Sequence, residues 1–600
     1  MSLKPSSSAR SIDPYRMMDG RPTFSHVATS TGPSRIIITA GQVGADENGI
    51  VPATPSDQIA LAFENLSRCL EAAGAGVADI LKLTYYIVNY DPKNRHHAPH
   101  LIKFLNGHRP ATTLVPVTAL ANPEYLFEIE ATAAVAQAPT QTVDVVVVGA
   151  GLSGLQTAYD LQKAGFSCVV VEARDRVGGK TWSVEPIASG KVIDLGAAWV
   201  NDTNQTRVHA LAKKLGLATV VQNTKGNVIQ HDLDDSKSTF VYGTVPLLAE
   251  INGTENMVYV RDLVEETCQQ LDLYKITPAG KDLDKLTLEE FVKAQEKGES
   301  AFATVTIWTR VMLGLEPSEM SALFFLDYCN RGGGFLQMRS DKRHGGQYMR
   351  LVQGTQSLSK GLTELLAPGT VILNSPVRLI RQDGSGGAYV SSGRGDFKCR
   401  KVVVSVPTPL YKEITFVPAL SEAKTTLSSS TVLGYTSKAM LMYDTPWWRT
   451  ANLCGMVQSF KGPVAATRDT SNDDKKQYSL TCFLVGDWGR EQSKKTKAER
   501  HQGIISHIRE LFSPFVEVPE PITIIEHEWA KDQWAQGCPC PATPPGIMSQ
   551  YGHAMTTVHG NVHFVGTETA VKWKGYMEGA IESGERGAEE VIKSLTKAKL

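Results

Sequence analysis

The sequence predicts an α/β unit built on a doubly wound, mostly parallel sheet, preceded by a separate small α+β unit. Three observations carry this reading. Val143-Asp-Val-Val-Val-Val148 runs directly into Gly149-Ala-Gly-Leu-Ser-Gly154 and a helix-forming stretch, the buried strand, glycine turn and helix that a dinucleotide site requires. Residues 21–137 hold an alternation of helical and strand patterns of their own. A chain of 600 residues also exceeds what one hydrophobic core accommodates.

Bulk properties exclude several classes. Hydrophobic residues make up 42% and charged residues 20%, with a formal net charge of −1. No strong global field results, so nucleic acid and acidic membrane surfaces are not expected partners. Nine cysteines are scattered along the chain with no secretory leader ahead of them, which fits a reduced intracellular setting. No apolar run approaches the roughly eighteen residues of a membrane span, so none is expected. The last three residues, Ala598-Lys599-Leu600, match the Ser-Lys-Leu type of peroxisomal address, with a solvated lysine-rich tail as the alternative.

In the first unit, residues 1–20 are rich in Ser, Pro and Arg and are expected to lack order, and 138–142 read as a polar linker. Between them the pattern predicts a strand over 35–40, a helix over 55–73, a strand over 80–88, a helix over 98–107, and strands over 113–120 and 127–135. With Thr39-Ala-Gly-Gln42, Ala72-Ala-Gly-Ala75, Lys82-Leu-Thr84, Arg109-Pro-Ala111 and Phe127-Glu-Ile-Glu-Ala-Thr132, this order resembles the Rid (YjgF-type) family of reactive-imine deaminases. The resemblance implies self-association and an arginine after the Pro-Ala pair; Thr112 stands there, while Glu128 matches the family's acidic residue. Without a guanidinium fork, two-point carboxylate binding is lost, so a structural or oligomerising role is the alternative.

The cofactor motifs are more specific. Gly149 permits the turn, Gly151 lets backbone approach a pyrophosphate beside Ser153 at the positive helix end, and Gly154 lets helix and strand pack closely. Glu172 ends the next strand, where a carboxylate can hold ribose hydroxyls and disfavours a 2′-phosphate. Arg174-Asp-Arg-Val-Gly-Gly-Lys-Thr181 follows at once, contributing Arg174, Gly178, Gly179 and Lys180. Near the other end lie Asn561-Val-His-Phe-Val-Gly-Thr-Glu-Thr569, with Gly566, Thr567 and Glu568, and Lys574-Gly-Tyr-Met-Glu-Gly-Ala-Ile581, with Gly575, Tyr576 and Met577 opening a last helix.

These motifs, in this order, resemble the flavin-containing monoamine oxidases from about residue 142 to 595, with a soluble fungal type as the nearer match. The resemblance implies an FAD-binding domain (about 143–220, 345–410 and 538–597) interleaved with a substrate domain (about 221–344 and 411–537). It adds Gly196, Ala197, Ala198 and Trp199, Val377 beside adenine and Trp529 against the isoalloxazine as cofactor contacts, and aligns Cys538 with the flavin-bearing cysteine. A free thiol beside Cys540 is the alternative, and no metal site is expected because no zinc-spaced partner pair is apparent.

For chemistry, Tyr576 matches one of two aromatic walls beside the flavin, while the other falls at Pro539, leaving Trp534 or another aromatic to fill it. Lys438 resembles the lysine that holds a water against the flavin N5, against the alternative of a solvated lysine, and Gln347 aligns with a cavity glutamine. Lys342, Arg343, His344 and Arg350 form either a basic rim for an acidic substrate or a solvated loop. The expected activity is oxidation of a primary amine by O₂ to an imine and peroxide. A Rid-like unit ahead of such an oxidase also resembles fungal fumonisin-deaminating enzymes. The alternatives are a polyamine or amino-acid oxidase, a flavin dehydrogenase or desaturase that avoids oxygen, and a non-catalytic module with a structural flavin.

Overall fold

The computed structural model describes residues 9–12, 22–30, 34–46, 49–136, 140–186, 190–384 and 386–597. The chain divides into two compact units, one comprising 1–141 with 374–378 and 391–397, the other the remainder.

The first unit is a sheet in the order Ser34–Ile38, Phe127–Ala136, Ile80–Val88, Ala111–Val117, with Gln42–Val43 also pairing to Phe127–Ala136. Ile80–Val88 and Ala111–Val117 run parallel, with helix His97–Leu105 between them in the chain. Helix Pro55–Ala72 starts where Pro55 needs no amide donor and the Thr54 hydroxyl accepts the Asp57 amide at 3.1 Å. Its Ile59, Ala62, Phe63, Leu66 and Leu70 share one core with Leu83, Ile129 and Ala133 of the sheet. Two details differ from expectation. Residues 9–12 form a strand, Ala9–Ile12, paired antiparallel with Val27–Ser30, although much of the stretch expected to lack order lies outside the described residues. The linker is shorter at its far end, because Gln141 already opens strand Gln141–Val148.

Register also separates the two positions that the Rid resemblance singled out. Thr112 pairs with Leu83 and Glu128 with Tyr86 across the same central strand. Leu83 and Tyr86 are an odd number of residues apart, so their paired neighbours point to opposite faces of the sheet. Within this chain Thr112 and Glu128 do not converge.

In the second unit, Val371–Ile372, Cys168–Val171 and Gln141–Val148 lie side by side in parallel, and the sheet continues through Gly395–Val404, Ala388–Ser392, Val377–Gln382 and Thr415–Val417. Strand Val562–Phe564 joins Gly395–Val404 in parallel. Val145, Val146 and Val147 are fully buried, as a strand covered on both faces demands. A second sheet, in the order Lys237–Val241, Asn227–His231, Leu453–Ser459, Ala466–Asp469, Tyr478–Val485, Thr436–Tyr443 and Thr523–Glu528, draws strands from both stretches expected to form the substrate domain. Helices Gly253–Gln269, Gly298–Leu313 and Ala322–Arg331 share a core of their own. Among the described residues no helix is long and apolar enough to cross a membrane.

Leu66 is fully buried in the first unit's core. Leu66→Ala is expected to destabilise that unit by about 2–5 kcal/mol, read as a lower urea midpoint for its transition.

Candidate active site

The glycine turn has the geometry that a diphosphate needs. Gly149 sits at φ +102°, and a Cβ there would lie 2.9 Å from the Ser405 carbonyl oxygen. A Cβ on Gly154 would fall 2.1 Å from the Gly149 carbonyl oxygen, so only glycine lets helix Leu152–Lys163 start this close to the strand. Gly151 is different: a Cβ there meets nothing within 4 Å, and one on Gly179 meets only the Gly151 Cα at 3.6 Å. The two glycines lie close together at the positive end of that helix, with open space beside Gly151. Ser153 is buried in its first turn.

Charge around this space is arranged differently from the sequence reading. Arg174, expected on the diphosphate, is committed to Asp532 through two bonds of 2.5 and 2.6 Å. Arg176 is the available guanidinium. It donates to the Gly179 carbonyl at 3.0 Å and lies over the Trp182 ring, while its Nη2 is buried without a partner among the described residues. Burial, with Arg174 nearby, pushes its pKa down to about 10, so it stays charged. An orphaned buried N–H beside an open glycine cradle fits the diphosphate of FAD. Glu172 is buried and accepts the Ala150 and Arg174 amides at 2.6 and 2.9 Å, fastening the turn to the second signature. Burial raises its carboxyl pKa against those two bonds.

A cavity of about 540 Å³ lies beyond, and Lys180, Gly196, Ala197, Ala198, Trp199, Gln347, Lys438, Trp529, Cys538, Tyr576 and Met577 all reach its wall. Lys438 is 6% exposed, which excludes the solvated alternative; its ammonium donates to the Gly196 carbonyl oxygen and lies 5.1 Å over the Trp199 ring. Burial pushes its pKa down to about 8, with Asp194 and Cys538 opposing. Lys180 donates to the Pro539 carbonyl at 3.0 Å, and the fully buried Trp529 donates to the Leu195 carbonyl at 3.0 Å. Trp199 donates to the Gln222 amide oxygen at 2.9 Å.

The second aromatic wall comes not from Trp534 but from another aromatic brought in by folding. Trp534 is not among the residues lining the cavity, whereas Tyr328, from helix Ala322–Arg331, stacks on Tyr576 with ring centroids 6.4 Å apart and planes 29° apart. Gly575, at φ +85°, makes room: a Cβ there would stand 2.7 Å from the Tyr328 ring. Gln347 flanks the Tyr576 hydroxyl, and its Oε1 is buried with no partner among the described residues. Sequence reading missed Tyr328 because its helix is buried at every position from Ala322 to Cys329 and reads as plain core. Asp327 in that run was the available signal.

Gly566, Thr567 and Glu568 stand behind this wall rather than on it. Thr567 donates to the Tyr576 carbonyl at 2.7 Å, and the buried Glu568 accepts the Thr408 amide at 2.9 Å. Val377 opens strand Val377–Gln382, 7% exposed and off the cavity wall. Of the proposed basic rim, only Lys342 lines the cavity; Arg350 instead donates to the Thr470 and Ser471 carbonyls at 2.8 and 2.5 Å. Elsewhere, His231, Asp235 and Glu510 bring ligand atoms within 4.8 Å of one another, but Lys461 and Lys237 already pair with the two carboxylates.

Residues 152–592 match the family described as flavin containing amine oxidoreductase, and residues 19–135 match endoribonuclease L-PSP. The probable flavin-containing monoamine oxidase A of Dictyostelium discoideum is 30% identical over 460 residues, covering 76% of this chain and 99% of its own length. The mouse amine oxidase [flavin-containing] B is 32% identical over 461 residues, 76% of this chain and 87% of its own. Among solved structures, putrescine oxidase bound to putrescine superposes with a TM-score of 0.70 at 26% identity, covering 76% of this chain and all of that one. Cyclohexylamine oxidase from Brevibacterium oxydans gives 0.70 at 25% identity, covering 76% and 99%. The fold and site therefore define an FAD-dependent oxidoreductase of amines. The chain belongs to the flavin containing amine oxidoreductase family, with a Rid-like domain ahead of it, and its activity is oxidation of an amine to an imine as O₂ becomes hydrogen peroxide. These similarities carry no signal specific to fungal enzymes or to fumonisin.

Arg176→Gln is expected to weaken FAD binding by roughly ten- to a hundredfold, the worth of a charge-assisted bond of about 1.5–3 kcal/mol. Titrating FAD into apoprotein that also carries Cys538→Ala checks this without interference from covalent attachment.

Proposed function

We propose that this chain oxidises primary amines in the balance R-CH(R′)-NH₂ + O₂ + H₂O → R-CO-R′ + NH₃ + H₂O₂. The observation that carries it is the meeting of Tyr328, Tyr576, Gln347 and Lys438 on one cavity wall beside Cys538. Bound FAD supplies the acceptor for the two electrons and the hydrogen of the amine α-carbon and passes them to O₂. The chain's own residues do the rest. The Tyr328 and Tyr576 rings, packed on one another, present a joint aromatic face to a carbon chain. Gln347, with its unpartnered Oε1, accepts an N–H of the amine and orients it. Cationic side chains around the cavity disfavour an ammonium ion, so the amine is bound in its neutral, oxidisable form. Lys438 holds its proton over the Gly196 carbonyl, where a positive charge favours electron transfer to oxygen.

The named relatives support two substrate shapes, a diamine through putrescine oxidase and a cyclic monoamine through cyclohexylamine oxidase. Covalent attachment of FAD through Cys538 belongs to the same proposal. Cys538 reaches the cavity, with Lys180 and Lys438 opposing the upward push of burial on its thiol. Cys540 is fully buried, off the cavity wall, and pushed up to about 12. Self-association through the Rid-like domain is supported by Ile36 and Ile38, 53% and 77% exposed on strand Ser34–Ile38. A peroxisomal address at Ala598-Lys599-Leu600 suits a peroxide producer, though those residues lie outside the described ones.

An oxygen-uptake screen with hexylamine, cyclohexylamine, putrescine, spermidine and leucine tests the activity. Turnover with stoichiometric peroxide is expected, and rapid dye reduction without oxygen uptake would replace this reading with a dehydrogenase. After denaturation the yellow colour is expected to stay with the polypeptide, and to be released from Cys538→Ala. Lys438→Met is expected to slow the reaction with O₂ more than the reaction with amine. In the unmutated chain the O₂ reaction should fall as pH rises through about 8, where Lys438 loses its proton, and stopped-flow absorbance of Lys438→Met should lack that inflection.

A further inference from the structure

The charges on the cavity wall are of one sign. Lys180, Arg261, Arg339, Lys342, Lys438 and Arg468 line it, and among the described residues no Asp or Glu does. Four of these are accounted for. Lys180 and Lys438 hold carbonyls beside the cofactor end. Arg261 pairs with Asp262 at 2.7 Å, and Arg468 faces Asp341 at 3.3 Å. Asp341 is buried behind the wall and shared, since it also accepts the Tyr242 hydroxyl at 2.8 Å.

Arg339 and Lys342 have no such partner. Arg339 ends the short helix Phe335–Arg339, its guanidinium 5.0 Å over the Trp308 ring and 5.3 Å over the Phe335 ring. Stacking occupies the flat face of a guanidinium and leaves its N–H edge free. Among the described residues no carboxylate or carbonyl accepts from that edge. Burial, and then the charge of Arg468, pushes its pKa down to about 10 with Tyr242 and Asp341 opposing, so it stays charged. Lys342 is exposed, its ammonium 5.7 Å over the Tyr242 ring. The same wall carries the apolar side chains of Met257, Ile307, Val311 and Met312.

We propose that Arg339, with Lys342 and Arg468, receives an anionic group of the substrate. The preferred substrate is then an amine carrying a carboxylate, or an anion of like geometry, at the far end of an apolar chain. A two-point N–H edge suits a carboxylate, and the apolar stretch suits the methylenes between the two groups. A diamine would bring its second ammonium against unbalanced cations with no carboxylate on the wall to receive it, so the same cluster selects against diamines. This rests on the proposed amine oxidation, and the tests below separate the two.

Straight-chain ω-aminoalkanoates, alkylamines and α,ω-diamines matched for chain length are compared by kcat/KM with the flavin-loaded chain. At the best length the ω-aminoalkanoate is expected to exceed the alkylamine by roughly tenfold and the diamine by more. The preference should shrink as salt screens the charges. Arg339→Gln should collapse the aminoalkanoate-to-alkylamine ratio towards one. Lys342→Gln, at an exposed position, should lower it by a smaller factor. A ratio at or below one in the unmutated chain, or a preferred diamine, overturns the inference. Binding is read separately, as the shift of flavin absorbance on adding alkanoates that carry no amine. If no amine turns over yet alkanoates bind, and bind more weakly to Lys342→Gln, the anion site stands and the oxidase reading falls. If neither turnover nor alkanoate binding is seen, both fall.

Discussion

Helix Leu152–Lys163 and helix Met577–Lys597 approach so closely that a Cβ on Gly584 would stand 2.5 Å from the Ser153 carbonyl oxygen. The Thr157 hydroxyl completes the crossing by donating to the Gly584 carbonyl at 2.9 Å. One helix begins at the glycine turn, and the other begins immediately after Tyr576. Fastening them together brings the diphosphate cradle and the aromatic wall, far apart in the chain, into one site. Glycine is what permits this, because backbone-to-backbone packing leaves no side chain to compress and gives little slack for the two ends to drift.

Among the described residues, two lysines are buried in the second unit without a carboxylate partner, and comparing them shows which one the chemistry uses. Lys424 donates to the Ala554 and Met555 carbonyls over the Phe564 ring, and burial pushes its pKa down to about 7. It closes a packing joint and is not on this cavity's wall. Lys438 spends one bond on the Gly196 carbonyl, and its remaining hydrogens have the cavity before them. Desolvation is a stability cost at either position; only at Lys438 does the retained charge stand where electrons are to be delivered.

The cofactor half of this site was legible because its constraints are local. A positive φ at Gly149 and a forbidden Cβ at Gly154 leave a spacing in the chain that can be read without knowing what folds against it. The first unit was legible for a similar reason: its helices and strands follow from periodicity, and their observed ends differ by at most three residues. Pairing between distant side chains was not legible. Arg174 and Arg176 are separated by one residue and are chemically identical, and only the position of Asp532, brought in from far along the chain, decides which one is free for phosphate. Arg339 was likewise invisible, since nothing near it in the sequence tells that its neighbours in space are Trp308 and Phe335 rather than a carboxylate.

Pro539 following Cys538 removes an aromatic ring from the segment nearest the cofactor, and Tyr328 supplies one from the helical layer instead. That exchange ties the cavity to a buried ion cluster. Asp327, next to Tyr328, accepts Arg331 at 2.7 Å and faces Lys574 at 3.6 Å, and Lys574 in turn precedes Gly575 and Tyr576. Arg331 also donates to the Val571 and Leu273 carbonyls at 3.2 and 2.9 Å. One carboxylate thus holds both tyrosine-bearing segments through the two cations beside them. Removing a single partner from such a cluster strands the others in a desolvated place, which costs more than the pair itself contributes. The charges of Asp327, Arg331 and Lys574 therefore hold the two tyrosine-bearing segments together, beside Gly575, whose missing Cβ lets the rings approach.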